Sequence, residues 1–196
     1  AVREICDEFD LLLIYDEVQV GCGRTGTLWA YEQEGVTPDI LTLAKALAGG
    51  PPIGAMLTTD VLADGLGPGS HGSTFGGNPL IGAAALAAMQ TMVGDGVLDN
   101  CQAMGIYLTE HLEKLKHKYA FIKEVRGRGL IIGMELTIEG GGLVNAAMER
   151  GLLINCTVGK VLRFVPPLIV SQAEIDEAMA ILDEVLATVD TVAHAS

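Results

Sequence analysis

The sequence predicts an α/β fold with a mostly parallel sheet, followed by a second, smaller α+β domain. Three observations carry this expectation. The run LLLIYDEV, residues 11–18, is apolar at consecutive positions, which suits a strand covered on both faces rather than one with a wet side. Strand-like and helix-like segments then alternate, the pattern of layered α/β architectures. Near Gly94–Gly96 the small apolar residues give way to an amphipathic helix with an ordinary charged surface. A boundary placed there divides the chain into residues 1–93 and residues 94–196.

The elements follow in order. AVREICDEF is helical in pattern and starts without a cap, as if cut from something longer. After the LLLIYDEV strand, LWAYEQEG predicts a short helix stopped by Gly35. DILTLAK and IGAMLTT predict two more strands. In GGNPL, Asn78 is the expected N-cap, with Pro79 at the first helical position. The helix that follows, LIGAAALAAMQTMV, is apolar on most sides and is expected to be buried. In the second domain, VLDNCQAMGIYLTEHLEKLKHKY is an amphipathic helix. GLIIGMEL, GLLIN and VLRFV are strands, and GLVNAAMER is a helix between them. Ser171 to Glu174 form a capping box that opens the last long helix.

Composition narrows the function classes. The chain is 49% hydrophobic and 19% charged, so it can bury a core and is not a disordered segment. A net charge of −13 disfavours nucleic acid, which needs a positive footprint. No apolar window is long enough for a membrane span, and the acidic N-terminus is no signal peptide. Cys6, Cys22, Cys101 and Cys156 make no C-x-x-C pair and are expected as reduced thiols in a cytoplasmic protein. His71, His111, His117 and His194 make no metal-binding spacing.

Two chemistries compete in IYDEVQVGCGRTG. Gly21, Gly23 and Gly26 fit the G-x-G-x-x-G dinucleotide fingerprint, and Asp39 stands near the distance of a ribose-binding acid. That would make the protein a dinucleotide-binding oxidoreductase. Against it, Asp16 and Glu17 would repel the phosphates. Gly67, Gly69 and Gly72 match the same pattern in a chain with 25 glycines. The other chemistry starts from Asp16, at the carboxyl end of a strand, where α/β folds place ligands. Lys45 lies just past the next strand among apolar and small residues, where desolvation would favour the neutral, nucleophilic amine. An acid for a pyridinium nitrogen and a Schiff-base lysine are the pair that pyridoxal phosphate asks of a protein.

IYDEVQVGCGRTG, PDILTLAKALAGGPPIGAM, HGSTFGGNPL, RGRGLIIGMEL and LRFVPPLIVSQAEID resemble the class III, pyridoxal-phosphate-dependent aminotransferases of fold type I. The likeness is closest to the members acting on N-acetylornithine and runs from Val2 to about Leu186. It implies part of the large cofactor domain followed by the C-terminal small domain. It implies pyridoxal 5'-phosphate as cofactor, with Lys45 as the Schiff-base and proton-shuttling lysine and Asp16 paired with the pyridine nitrogen. Val18 would pack on the ring face and Gln19 would donate to the ring's phenolic oxygen. Ser73 and Thr74 would serve the phosphate, with Thr74 reaching across a homodimer to the neighbouring site. Arg163 would grip the carboxylate of the amino-acid substrate or of 2-oxoglutarate. The implied reaction transfers an amino group from N-acetylornithine to 2-oxoglutarate in arginine biosynthesis. Ornithine, 4-aminobutyrate and succinyl-diaminopimelate are alternative donors. Members of the family are about twice this length, so the chain is expected to be a C-terminal fragment that binds cofactor poorly and does not transaminate alone.

Overall fold

A computed structural model describes residues 1–193, with side chains to residue 189. The chain divides into two compact units, one of residues 1–98 and one beginning at Asp99.

The first unit opens with α1, Val2–Glu8. Arg3 on this helix pairs with Asp7 and with Asp39, each at 2.7 Å. Asp39 also accepts from the Leu13 amide at 2.7 Å. Three short strands follow: β1, Ile14–Asp16, β2, Ile40–Leu43, and β3, Ala55–Thr58. They form one sheet in the order β1-β2-β3. β1 and β2 are parallel, in the register Asp16↔Thr42. β3 runs antiparallel to β2, so the sheet is mixed. The reason lies in the linker. Residues 44–54 hold a 3-10 turn, Lys45–Ala48, and the pair Pro51–Pro52, which is too short for the crossover a parallel return needs. After β3 come the single turn α2, Asp60–Ala63, and the long helix α3, Pro79–Gly94. α3 starts as expected: Asn78 accepts from the Ile81 amide at 3.0 Å and Pro79 is the first helical residue.

Two expectations of burial fail in this unit. β1 is an edge strand of this sheet, and Leu11, Leu12 and Ile14 beside and within it are exposed. On α3, Leu80, Leu86 and Val93 are exposed and Met92 is its one buried residue. Elements patterned for covering on all sides are covered here on one.

The second unit has a closed core. Its sheet has the order β4-β5-β7-β6, with every pairing antiparallel. The strands are β4, Ile122–Arg128, β5, Ile131–Leu136, β6, Asn155–Thr157, and β7, Val161–Phe164. Three helices accompany it: α4, Val97–Lys118, α5, Gly141–Glu149, and α6, Gln172–Ala193. β5 and β7 alternate between buried and half-buried residues, the period-2 pattern of strands with one face on a core. Leu112, Ile132, Met134, Leu162, Leu182 and Leu186 meet there, each almost wholly buried. α4 lies flush on the β4–β5 turn, where a Cβ at Gly105 would overlap the Gly129 carbonyl. The capping box of α6 forms: the Ser171 amide donates to Glu174 Oε2 at 2.7 Å, and the Glu174 amide donates back to Ser171 Oγ at 3.3 Å. No single helix among the described residues is long and apolar enough to cross a membrane.

Candidate functional site

Parallel pairing brings the tips of β1 and β2 to the same sheet edge. Asp16 is the last residue of β1, and Lys45 stands two residues beyond Leu43, the last of β2. An acid and an amine therefore share the carboxyl edge of a parallel pair, where α/β sheets hold ligands. The Asp16 carboxylate is oriented by its own edge. Its Oδ1 accepts from the Val18 amide at 3.0 Å and from Thr42 Oγ1 at 3.4 Å. The first bond is an Asx-type turn that bends the chain away from the strand. Val18 is half-buried and Gln19 is exposed.

Lys45 has a backbone feature that the sequence did not announce. Its φ is +42°, in the left-handed region that costs an L-residue roughly 1–2 kcal/mol. Strain of this kind persists where the surroundings enforce it and gathers at functional positions. Lys45 lines an open hollow of about 660 Å³ with Ala44, residues 50–54, Ser73, Phe75 and the cap of α3 at Asn78. Lys45 and Ser73 are thus brought together. Asp16 and Thr74 are not among the residues lining that hollow, and Thr74 is exposed on the same loop. One sequence expectation needs correcting here: Lys45, placed by the sequence among apolar surroundings, is exposed in this chain, as is Asp16.

The glycine loop turns inward, away from a ligand. Strand alternation points Glu17 opposite to Asp16, and Glu17 is 4% exposed. Its two carboxylate oxygens accept from the Ala30 and Tyr31 amides, each at 2.8 Å. These are the first amides of the 3-10 turn Ala30–Gln33, the position where a dinucleotide loop would present donors to a phosphate. The Gly21 amide donates to the Glu17 carbonyl at 2.9 Å, and a Cβ at Gly21 would come within 3.0 Å of that carbonyl and of the carboxylate. The first glycine of the fingerprint makes room for an internal acid. Asp39, the candidate ribose acid, is spent on Arg3 and Leu13, and the Arg3 guanidinium holds its carboxyl below the usual range. Cys22 is buried, with φ at +53°. Burial, and then the Glu17 charge, push its thiol up, which suppresses the reactive thiolate.

Arg163 lies in the second unit. β7 sits between β5 and β6, with Arg163 level with Gly133 on one side and Asn155 on the other. It therefore stands in an interior strand and not on an edge open to water. Leu162 and Phe164 point into the core, and Arg163 faces the other way, half-buried. It lines a cavity of about 420 Å³ whose walls are mainly apolar, among them Leu152, Pro166 and Met179, with Asn155 and Glu174 as further polar groups. A guanidinium in such a setting matches a planar carboxylate. Among the described residues no three His, Cys, Asp or Glu side chains cluster as metal ligands; His194 lies outside them.

Comparison with known proteins places these features in a lineage. The chain is 53% identical over 190 residues to an acetylornithine aminotransferase of Caldanaerobacter subterraneus, covering 96% of this chain and 48% of that protein. A Toxoplasma gondii ornithine aminotransferase structure, reported with partial occupancy of PLP at its active site, superposes with a TM-score of 0.91 at 38% identity, covering 96% of this chain and 46% of that one. An Elizabethkingia anophelis acetylornithine aminotransferase structure gives 0.88 at 37% identity, over 94% and 50%. The chain spans about half the length of the curated relatives it matches. The family model for class-III aminotransferases runs over residues 1–186, and the chain belongs to that family.

Proposed function

We propose that the chain acts as the C-terminal half of a pyridoxal-phosphate-dependent enzyme that moves the amino group of N-acetylornithine to 2-oxoglutarate, giving glutamate, in arginine biosynthesis. The observation that carries the chemistry is the acid and the lysine at one edge of the parallel β1–β2 pair. The donor set fits the cofactor: a carboxylate for the pyridine nitrogen, an amine for the aldehyde, and hydroxyls at 73–74 for the phosphate. The names of relatives about half identical to this chain support the donor.

When bound, pyridoxal phosphate supplies an electron sink for the carbanion left by proton removal. The chain's own groups do the rest. Asp16 would hold a proton on the pyridine nitrogen, each unit of pKa shift there being worth about 1.4 kcal/mol. Lys45 would hold the aldehyde through its Nζ and would serve as the group that takes up and returns the proton. Val18 would pack on the ring, and Gln19 would donate to its phenolic oxygen. Ser73 and Thr74 would donate to phosphate oxygens, Thr74 from the second subunit of a homodimer. Arg163 takes the substrate carboxylate in a bidentate pair. Residues 1–93 belong to the large cofactor domain and 94–196 to the small domain of a cytoplasmic enzyme.

A rate comparison on the full-length enzyme tests the donor. kcat/KM for N-acetylornithine should exceed that for ornithine and 4-aminobutyrate, and Lys45→Ala should abolish turnover. Ornithine is the second reading, favoured by the Toxoplasma neighbour, and a preference for it would replace acetylornithine. The 196-residue chain alone should not transaminate.

A further inference from the structure

Glu17 has no role in the chemistry above, yet it is the best-anchored side chain near Asp16. We infer that Glu17 is a positioning residue for the cofactor-facing strand tip, closing the 18–29 loop so that Asp16, Val18 and Gln19 present one fixed surface. The inference rests on the proposal that pyridoxal phosphate lies against that surface.

Three ties support it. The Glu17 amide donates to the Thr42 carbonyl at 3.0 Å, which extends the β1–β2 ladder one residue past Asp16. The side chain reaches thirteen and fourteen residues along the sequence to two amides at 2.8 Å, short bonds of the charge-assisted kind. The Glu17 carbonyl takes the Gly21 amide at 2.9 Å, so the loop is pinned near its start as well as at its end. Because successive residues along an extended backbone point to opposite faces, the stretch that buries Glu17 leaves its neighbour Asp16 on the exposed face. A rotation that loosens the first misdirects the second and, through the bond from the Val18 amide to Asp16 Oδ1, the start of the turn. Glu17→Gln would set an amide donor against a backbone N–H in a site that is 4% exposed, so at least one of the two bonds is lost.

The test uses the full-length enzyme, with pyridoxal phosphate added back to the apoenzyme and no amino donor present. Glu17→Gln should speed hydrogen exchange at the Ala30 and Tyr31 amides and weaken cofactor affinity roughly tenfold, the usual scale for losing an orienting partner. It should also move the pH midpoint of the bound cofactor's absorbance. Glu17→Asp, one methylene shorter, should fall between. Gly21→Ala keeps the charge and the fold's composition but crowds the carboxylate, and should reproduce the same shifts if Glu17→Gln does not fold. A folded Glu17→Gln or Gly21→Ala protein with the unaltered affinity and pH midpoint, whatever its melting temperature, overturns the inference. Asp16→Asn is the control on the underlying proposal. If it too leaves the midpoint unmoved, the cofactor placement fails and the inference with it; if it shifts the midpoint while the Glu17 variants do not, the inference alone fails.

Discussion

The two units use apolar residues in opposite ways. In the second unit they converge: Leu112, Leu130, Met134, Leu162, Leu182 and Leu186 are almost wholly buried in one cluster. In the first unit they are scattered. Leu13, Leu41 and Leu43 are buried, while Leu11, Leu12, Ile14, Phe75, Leu80 and Leu86 are exposed. Both units are rich in apolar sequence, so composition does not separate them. The second contains the partners of its own elements. In the first, β1 and α3 keep large apolar residues exposed. The chain spans about half the length of its curated relatives, and the residues proposed for the cofactor lie on this incompletely covered unit.

The sharpest way to break this contrast is one substitution made in both units. Leu162→Ala removes an almost wholly buried side chain and should cost roughly 2–5 kcal/mol through lost transfer energy and the cavity left behind. Leu80→Ala removes one that is 78% exposed and should stay within about 0.5 kcal/mol. Urea denaturation of the 196-residue chain measures both. Similar losses would mean that α3 is covered in solution after all. In the full-length enzyme, Leu80→Ala should become costly as its face is covered.

How far the sequence was legible follows the same division. Most of the second unit was foreseen, because its elements alternate against a core that the same segment provides, but β4, Ile122–Arg128, was missed and β6 forms at Asn155–Thr157, beyond most of the GLLIN run. The parallel β1–β2 pair and the caps at Asn78 and Ser171 were legible for local reasons. The direction of β3 was missed although the short 44–54 linker contained it. The exposure of β1 and α3 was not legible, since an apolar pattern reports what a segment can bury and not what is there to cover it. At the proposed site, Asp16 and Lys45 were singled out from their positions at strand ends. Glu17 was read as a second acid near the glycines, although strand alternation alone sends it to the buried face. The left-handed backbone of Lys45 has no sequence signal, because lysine gives no hint of positive φ.

Acid should separate the units next. In the second, Lys118 and then Tyr119 hold the Asp183 carboxyl below its usual range, and Lys123 and Arg126 do the same for Glu135. A carboxyl lowered in the folded state contributes stability that is present above its unfolded pKa, near 4, and lost as pH falls through the folded value. The second unit should therefore weaken between about pH 5 and pH 3. Asp183 is 38% exposed, so screening keeps its share to about 1 kcal/mol or less. In the first unit Asp39, lowered by Arg3, has the same sign but little core behind it. Urea midpoints across this pH range should fall for the parent chain and flatten for Asp183→Asn. An unchanged slope in that variant would show that the Lys118–Asp183 contact contributes nothing in solution.

The smallest effect tests whether the second unit, well packed as it is, still stores strain. Its three-residue β6–β7 turn, between the paired Thr157 and Val161, places Val158 at φ +53° and Gly159 at φ +73°, both in the left-handed region. Glycine accepts this without cost. Valine does not, because its branched Cβ crowds the backbone in the left-handed region. Val158 is also 94% exposed, so no burial offsets the strain. Asn enters the left-handed region far more readily than a branched residue. Val158→Asn should stabilise the unit by roughly 0.5–1 kcal/mol, against a left-handed penalty of about 1–2 kcal/mol. For a domain of this size, 1 kcal/mol raises the melting temperature by about 4–8 °C. Thermal melts of the two proteins at one pH decide it. A lower melting temperature for the asparagine variant would mean that the hairpin does not hold two positive φ values in solution, and that β6 and β7 meet through a different turn.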